Sequence, residues 1–167
     1  IEPFIESFQK QKPYLKTFLP VNQNYFCGRD REITEIREEL QQTNFLVLHG
    51  IGGIGKSELA KHYAMNFSSE YDAVIFVRYQ NSVLETVAND SLFPVVNLNR
   101  ESDESDENYF TRKMKILQKI CTPRHLIILD NFDTDECENL DELLSLECKF
   151  LITSRVDFED VFPQYEV

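Results

Sequence analysis

Residues Gly50 to Ser57 read Gly-Ile-Gly-Gly-Ile-Gly-Lys-Ser, and Gly50, Gly55, Lys56 and Ser57 fill every fixed position of the pattern G-x-x-x-x-G-K-[ST]. A loop that wraps a phosphate must turn its N–H groups inward, and a Cβ would obstruct both the backbone angles and the approach of the anion. The glycines Gly50, Gly52, Gly53 and Gly55, with Ile54 among them, meet that requirement. Lys56 is placed to reach β- and γ-phosphates and Ser57 to ligate Mg²⁺, and a helix starting there adds the positive end of its dipole. With Glu58 beside them, these residues form the expected nucleotide-contacting set. For a chain of 167 residues, a chance match is on the order of one in a hundred.

The flanking sequence supplies the context that the loop demands. Before it, Phe45 to His49 is a short apolar run ending in glycines, as a buried parallel strand would be. After it, Ser57 to Phe67 carries Leu59, Ala60, Tyr63, Ala64 and Phe67 on one helical face. Upstream, Ile33, Ile36 and Leu40 recur at helical spacing within Asp30 to Leu40. Downstream, Ala73 to Val77 reads as a strand, Tyr109 to Ile120 as a helix, and Leu126 to Leu129 as a strand ending at Asp130. Leu140 to Leu146 reads as a short helix, Phe150 to Thr153 as a strand, and Tyr165 to Val167 as a small final strand. Strands alternating with helices predict an α/β fold: a three-layer P-loop NTPase with a parallel sheet of about five strands and helices on both faces.

Residues 1–25 hold Pro3, Pro13 and Pro20 with no sustained period and read as a connecting arm, which leaves residues 26–167 as the nucleotide-binding domain. Asn99 to Asn108, acidic residues among serines and asparagines, reads as a mobile, solvated loop.

Seventeen basic residues against 29 acidic ones give a formal charge of −12, which repels nucleic acid and anionic lipid at long range. Neither nucleic acid nor a membrane is expected as a partner. No apolar run approaches the roughly 18 residues that cross a bilayer, and no basic-then-apolar leader opens the chain, so a cytoplasmic protein is expected. Ile1 in first place suggests a segment of a longer polypeptide. Cys27, Cys121, Cys137 and Cys148 form no CxxC pair, and His49, His62 and His125 lack zinc-ligand spacing; reduced thiols are the expected reading.

A phosphate site also needs a carboxylate on the metal side. Leu126 to Asp130, four apolar residues and an aspartate, fits a Walker B strand, with Asp130 as that carboxylate. A further strand ends in Thr153-Ser154-Arg155, where the arginine either reaches a γ-phosphate or simply caps a strand end at the surface.

Four segments in this order, FCGRD at Phe26 to Asp30, GIGGIGKS, LIILDNFD at Leu126 to Asp133 and FLITSR at Phe150 to Arg155, resemble the NB-ARC type of STAND NTPase from about Leu19 to the end. The resemblance implies that Gly28 and Arg29 lie against the adenine and phosphates, and that Arg155 senses the terminal phosphate. It further implies a switch in which ADP holds a resting form and exchange for ATP permits self-association and signalling. The family's helical lid and winged-helix domain have no counterpart in this segment, so weakened nucleotide binding is expected. Where many relatives carry Asp-Asp or Asp-Glu after the Walker B strand, this chain has Asp130-Asn131. Asn131 can orient a water but cannot take its proton, and Asp133 is the available substitute. Slow, Mg-dependent ATP hydrolysis follows as an expectation, a weak ATPase at most. The competing readings are a small-molecule kinase, for which no second-substrate motif is visible, and an AAA-type ATPase subunit, for which Arg112 and Arg124 are merely available arginines. A GTPase is disfavoured because Asn-Lys-x-Asp is absent.

Overall fold

Uninterrupted apolar runs such as Leu46 to Leu48, Val74 to Val77 and Leu126 to Leu129 are buried on both faces, which a strand achieves only when helices cover both sides of its sheet. In the computed structural model, which describes residues 12–20, 28–135, 138–158 and 161–167, these runs are the strands β1 (Phe45–His49), β2 (Ala73–Arg78) and β3 (His125–Asp130). With β4 (Lys149–Ser154) and β5 (Gln164–Glu166) they form one parallel sheet in the order β2-β3-β4-β1-β5. Its helices are α1 (Asp30–Gln42), α2 (Lys56–Asn66), α3 (Val83–Ala88), α4 (Asp106–Ile120) and α5 (Leu140–Leu144). The expectations for Phe26, Cys27 and Cys137, and for most of residues 1–25, lie outside the described residues.

Alternation along the strands divides the core in two. Leu46, Leu48, Val74, Phe76, Ile128 and Leu151 pack under α1 and α2, against Ile33, Ile36, Leu40, Leu59 and Tyr63. Val47, Ile75, Val77, Ile127, Leu129 and Ile152 pack on the opposite face against α3, α4 and α5. The expected three-layer P-loop architecture is the one observed, with boundaries displaced by a few residues at most.

Three expectations change. Asn99 to Asn108 is solvated as expected, all but Glu104 being exposed, but it is not an unstructured loop: from Asp106 onward it is the first turn of α4, capped by the Ser105 hydroxyl, which accepts from the Asn108 N–H. The rest is a turn in which Arg112 grips the Glu104 carboxylate at 2.6 and 2.9 Å, Arg100 donates to the Glu104 carbonyl at 2.8 Å, and Arg100 pairs with Asp106. The Arg112 guanidinium holds the Glu104 carboxyl below its ordinary range. Second, α3 was not expected, although Ser82-x-x-Glu85 announces it: the Ser82 hydroxyl accepts from the Glu85 N–H at 3.0 Å.

Third, residues 12–20, within the segment read as a connecting arm, dock on the sheet. Phe18 donates its N–H to the Val74 carbonyl at 2.8 Å and accepts from the Phe76 N–H at 2.7 Å, while Leu15 is buried and bridged to Val95. They satisfy backbone groups that β2, at the end of the sheet, would otherwise leave open.

Behind the sheet, the side chain of Lys113 on α4 is 0% exposed and donates to Asp90 at 2.8 Å, between the rings of Phe93 and Tyr109. Tyr109 donates to the same carboxylate at 2.6 Å. Cys121 and Cys148 are buried free thiols. No helix among the described residues is long and apolar enough to cross a membrane.

Candidate functional site

Because β4 lies between β1 and β3, the carboxyl ends of these three strands stand side by side, where ligands of open α/β sheets bind. From β1 emerges the glycine loop, from β3 come Asp130, Asn131 and Asp133, and from β4 come Thr153, Ser154 and Arg155.

The loop turns through two left-handed residues, Gly53 at φ +82° and Gly55 at φ +100°, the second immediately preceding α2. A Cβ at Gly53 would meet nothing within 4 Å, so that flank of the loop is an open cradle. Gly55→Ala should strain the backbone by about 1–2 kcal/mol and weaken phosphate binding. A lower melting temperature together with a weaker nucleotide titration is the expected result; an unchanged affinity would mean that the turn is not needed for binding.

Lys56, the first residue of α2, is 8% exposed and its ammonium donates to the carbonyls of Gly50 at 2.7 Å and Ile51 at 3.0 Å. Burial lowers its pKa, and the neighbouring carboxylates Asp133 and Asp130 oppose that shift. Arg29, at the N-terminus of α1, reaches across 25 residues of sequence to donate to the Ile54 carbonyl at 2.8 Å. It clamps the loop from outside.

Asp130 is 5% exposed. The Thr153 hydroxyl donates to its Oδ1 at 2.8 Å and accepts from the Asn131 N–H at 2.9 Å. With its lone pair already engaged by that amide, the hydroxyl proton is directed at the carboxylate, and Oδ2 of Asp130 makes no hydrogen bond among the described residues. Asn131 sits in the left-handed region at φ +58°, which turns the chain back toward the loop. Phe132 is then pinned to β4, its N–H donating to the Thr153 carbonyl at 2.8 Å and its carbonyl accepting from the Ser154 hydroxyl at 2.6 Å. Asp133 follows, and both its oxygens accept from Arg155: Oδ1 from the backbone N–H and Oδ2 from Nε, each at 2.7 Å.

These elements enclose a cleft of about 340 Å³ lined by Gly52, Gly53, Gly55, Lys56, Ser57, Glu58, Asn131, Asp133 and Arg155. Of the expected residues, Gly28, Arg29, Gly50, Ile54 and Asp130 are not in that lining: Arg29 and Ile54 brace the loop through their hydrogen bond, and Asp130 lies behind it. The parts suit a nucleotide and its magnesium ion: a glycine cradle, a buried ammonium, a helix N-terminus, an arginine, and a buried carboxylate with one oxygen to spare. Sequence reasoning passed over Thr153 and Ser154, although two hydroxyl residues at the end of a fully buried strand needed partners.

The family model that matches is the NB-ARC domain, over residues 29–160. No curated protein matches the chain. Among solved structures, a Walker-type ATPase of Pyrococcus abyssi is similar at 15% identity and a TM-score of 0.45, over 83% of this chain and 48% of that one. Drosophila ORC bound to GC-rich DNA and Cdc6 is similar at 15% identity and a TM-score of 0.45, over 89% of this chain and 62% of that one. The chain thus spans from 48% to 62% of the length of these structures.

Proposed function

The chain belongs to the NB-ARC domain family, and from that premise we propose that this P-loop nucleotide-binding domain is the adenine-nucleotide switch of a larger STAND-type signalling protein, with slow ATP hydrolysis. The observation that carries the reading is the convergence on one loop of a buried ammonium, an outside clamp from Arg29 and an arginine from a separate strand.

In this reading the loop from Gly50 to Gly55 and the first turn of α2 hold the phosphates, with Lys56 against the β- and γ-groups. Gly28 and Arg29 lie toward the base, and Arg155 faces the terminal phosphate. Ser57 and Asp130 hold Mg²⁺, and Thr153 keeps the Asp130 carboxylate turned. When bound, the ion neutralises phosphate charge. Hydrolysis is slow because Asn131 cannot accept a proton and both oxygens of Asp133 are engaged by Arg155. The working domain spans residues 26–167, sits in the cytoplasm, and self-associates with its full-length copies when ATP is bound.

Titrating the chain with ADP, ATP and GTP, with and without Mg²⁺, tests this. Adenine-selective binding with a turnover below about 1 per second is expected; tens per second, or a preference for GTP, would overturn the switch reading.

A further inference from the structure

We infer that Asp133 is a positioning residue for Arg155, and that it thereby sets how strongly the site distinguishes a nucleoside triphosphate from a diphosphate. The inference rests on the nucleotide-switch reading above.

The side chain of Arg155 is 62% exposed. A long exposed arginine loses rotamer freedom when it is held for a ligand, and a single surface ion pair seldom compensates. Asp133 does more than pair with it. One carboxylate takes two donors of the same residue, the backbone N–H and Nε, so the guanidinium is fixed at both ends of its side chain. Engaging Nε on one side turns the two terminal nitrogens to the other. They make no hydrogen bond among the described residues, and Nη1 lies against the glycine loop. A Cβ built on Gly52 would lie 3.5 Å from Cδ of Arg155 and 3.9 Å from Nη1. The fork that best matches a phosphate's oxygens is the part left free.

Asp133 can do this because it is itself fixed. Its side chain is 20% exposed, and it follows the left-handed Asn131 and the doubly pinned Phe132. Its own N–H donates to the Asn131 carbonyl at 2.9 Å. The carboxylate also offsets the charge of Arg155, so a diphosphate that does not reach the fork gains little from it. A γ-phosphate that does reach it gains two aimed donors. Asp133 thus acts on the triphosphate selectively, through Arg155.

The experiment is titration of the 167-residue chain with ADP and with a non-hydrolysable ATP analogue, both with Mg²⁺, for wild type, Asp133→Ala, Asp133→Asn, Arg155→Ala and the double alanine variant. Asp133→Ala should leave ADP affinity within about twofold and lower analogue affinity about five- to tenfold. Arg155→Ala should do the same, the double variant should be no worse than Arg155→Ala, and Asp133→Asn, which keeps one acceptor, should fall between. Loss of folding alone would lower both affinities together and leave their ratio unmoved. With ADP affinity retained, an unchanged ratio in Asp133→Ala overturns the inference, as do additive losses in the double variant. A rise in analogue affinity would make Asp133 a competitor for Arg155 and sinks the positioning role. Wild-type chain that binds neither nucleotide would remove the switch reading too, whereas binding with an unmoved ratio removes only this step.

Discussion

Lys56→Ala should lower the affinity for ADP and ATP alike by about a hundredfold. Lys56 is 8% exposed and its ammonium is already oriented by the carbonyls of Gly50 and Ile51, so its charge is delivered into a partly desolvated site without further ordering. Charge-assisted hydrogen bonds of this kind contribute about 1.5–3 kcal/mol each, and the upper end corresponds to roughly two orders of magnitude in affinity. Arginine should not rescue binding, because its planar fork cannot occupy the position of a compact ammonium between two loop carbonyls. Calorimetric titration decides the matter. A loss under threefold would place the phosphates elsewhere.

The largest effect on stability should come from the far side of the sheet. Asp90→Ala leaves the Lys113 ammonium, with its 0% exposed side chain, without its carboxylate, and leaves the Tyr109 hydroxyl without its acceptor. Breaking a fully buried pair costs about 3–5 kcal/mol, and because Asp90 is half-exposed a cost of about 2–3 kcal/mol is expected here. Lys113→Met removes the charge that needs a partner and keeps the apolar stem between Phe93 and Tyr109, so it should cost only about 1 kcal/mol. Burial lowers the pKa of Lys113, and Asp90 opposes that shift. Denaturant midpoints of the two variants supply the comparison. A methionine variant as unstable as the alanine one would show that the pair matters for more than neutralising a buried charge.

The parts of the molecule that could be read from sequence were those whose physics is local. Eight consecutive residues at Gly50 to Ser57 carry their own geometry, and Leu126 to Asp130 carries both a strand and its terminal carboxylate. The unread parts depended on which strands became neighbours. Nothing local places β4 between β1 and β3, yet that insertion puts the Thr153 hydroxyl on Asp130 and Arg155 on Asp133. The acidic segment is solvated, but counting its charges does not reveal its order, because the counter-charge lies elsewhere: Arg112 sits nearly two turns into α4 and reaches back to Glu104. The helix α3 was overlooked because it is six residues long, too short for a hydrophobic period, although its cap was written at Ser82.

The strip formed by residues 12–20 bears on where this domain can be cut. The family pattern starts at residue 29, but the bonds from Phe18 to β2 are closed by chain that lies before it. None of the strand pairs β1–β4, β1–β5, β2–β3 and β3–β4 involves this strip, so its loss would leave them in place. A shortened chain would fold and still present a bare row of amides beside Val74 and Phe76, an invitation to stick edge to edge with its own copies. Clumping in such a chain would then be a fault of the missing strip, and would say nothing about the assembly that the nucleotide controls.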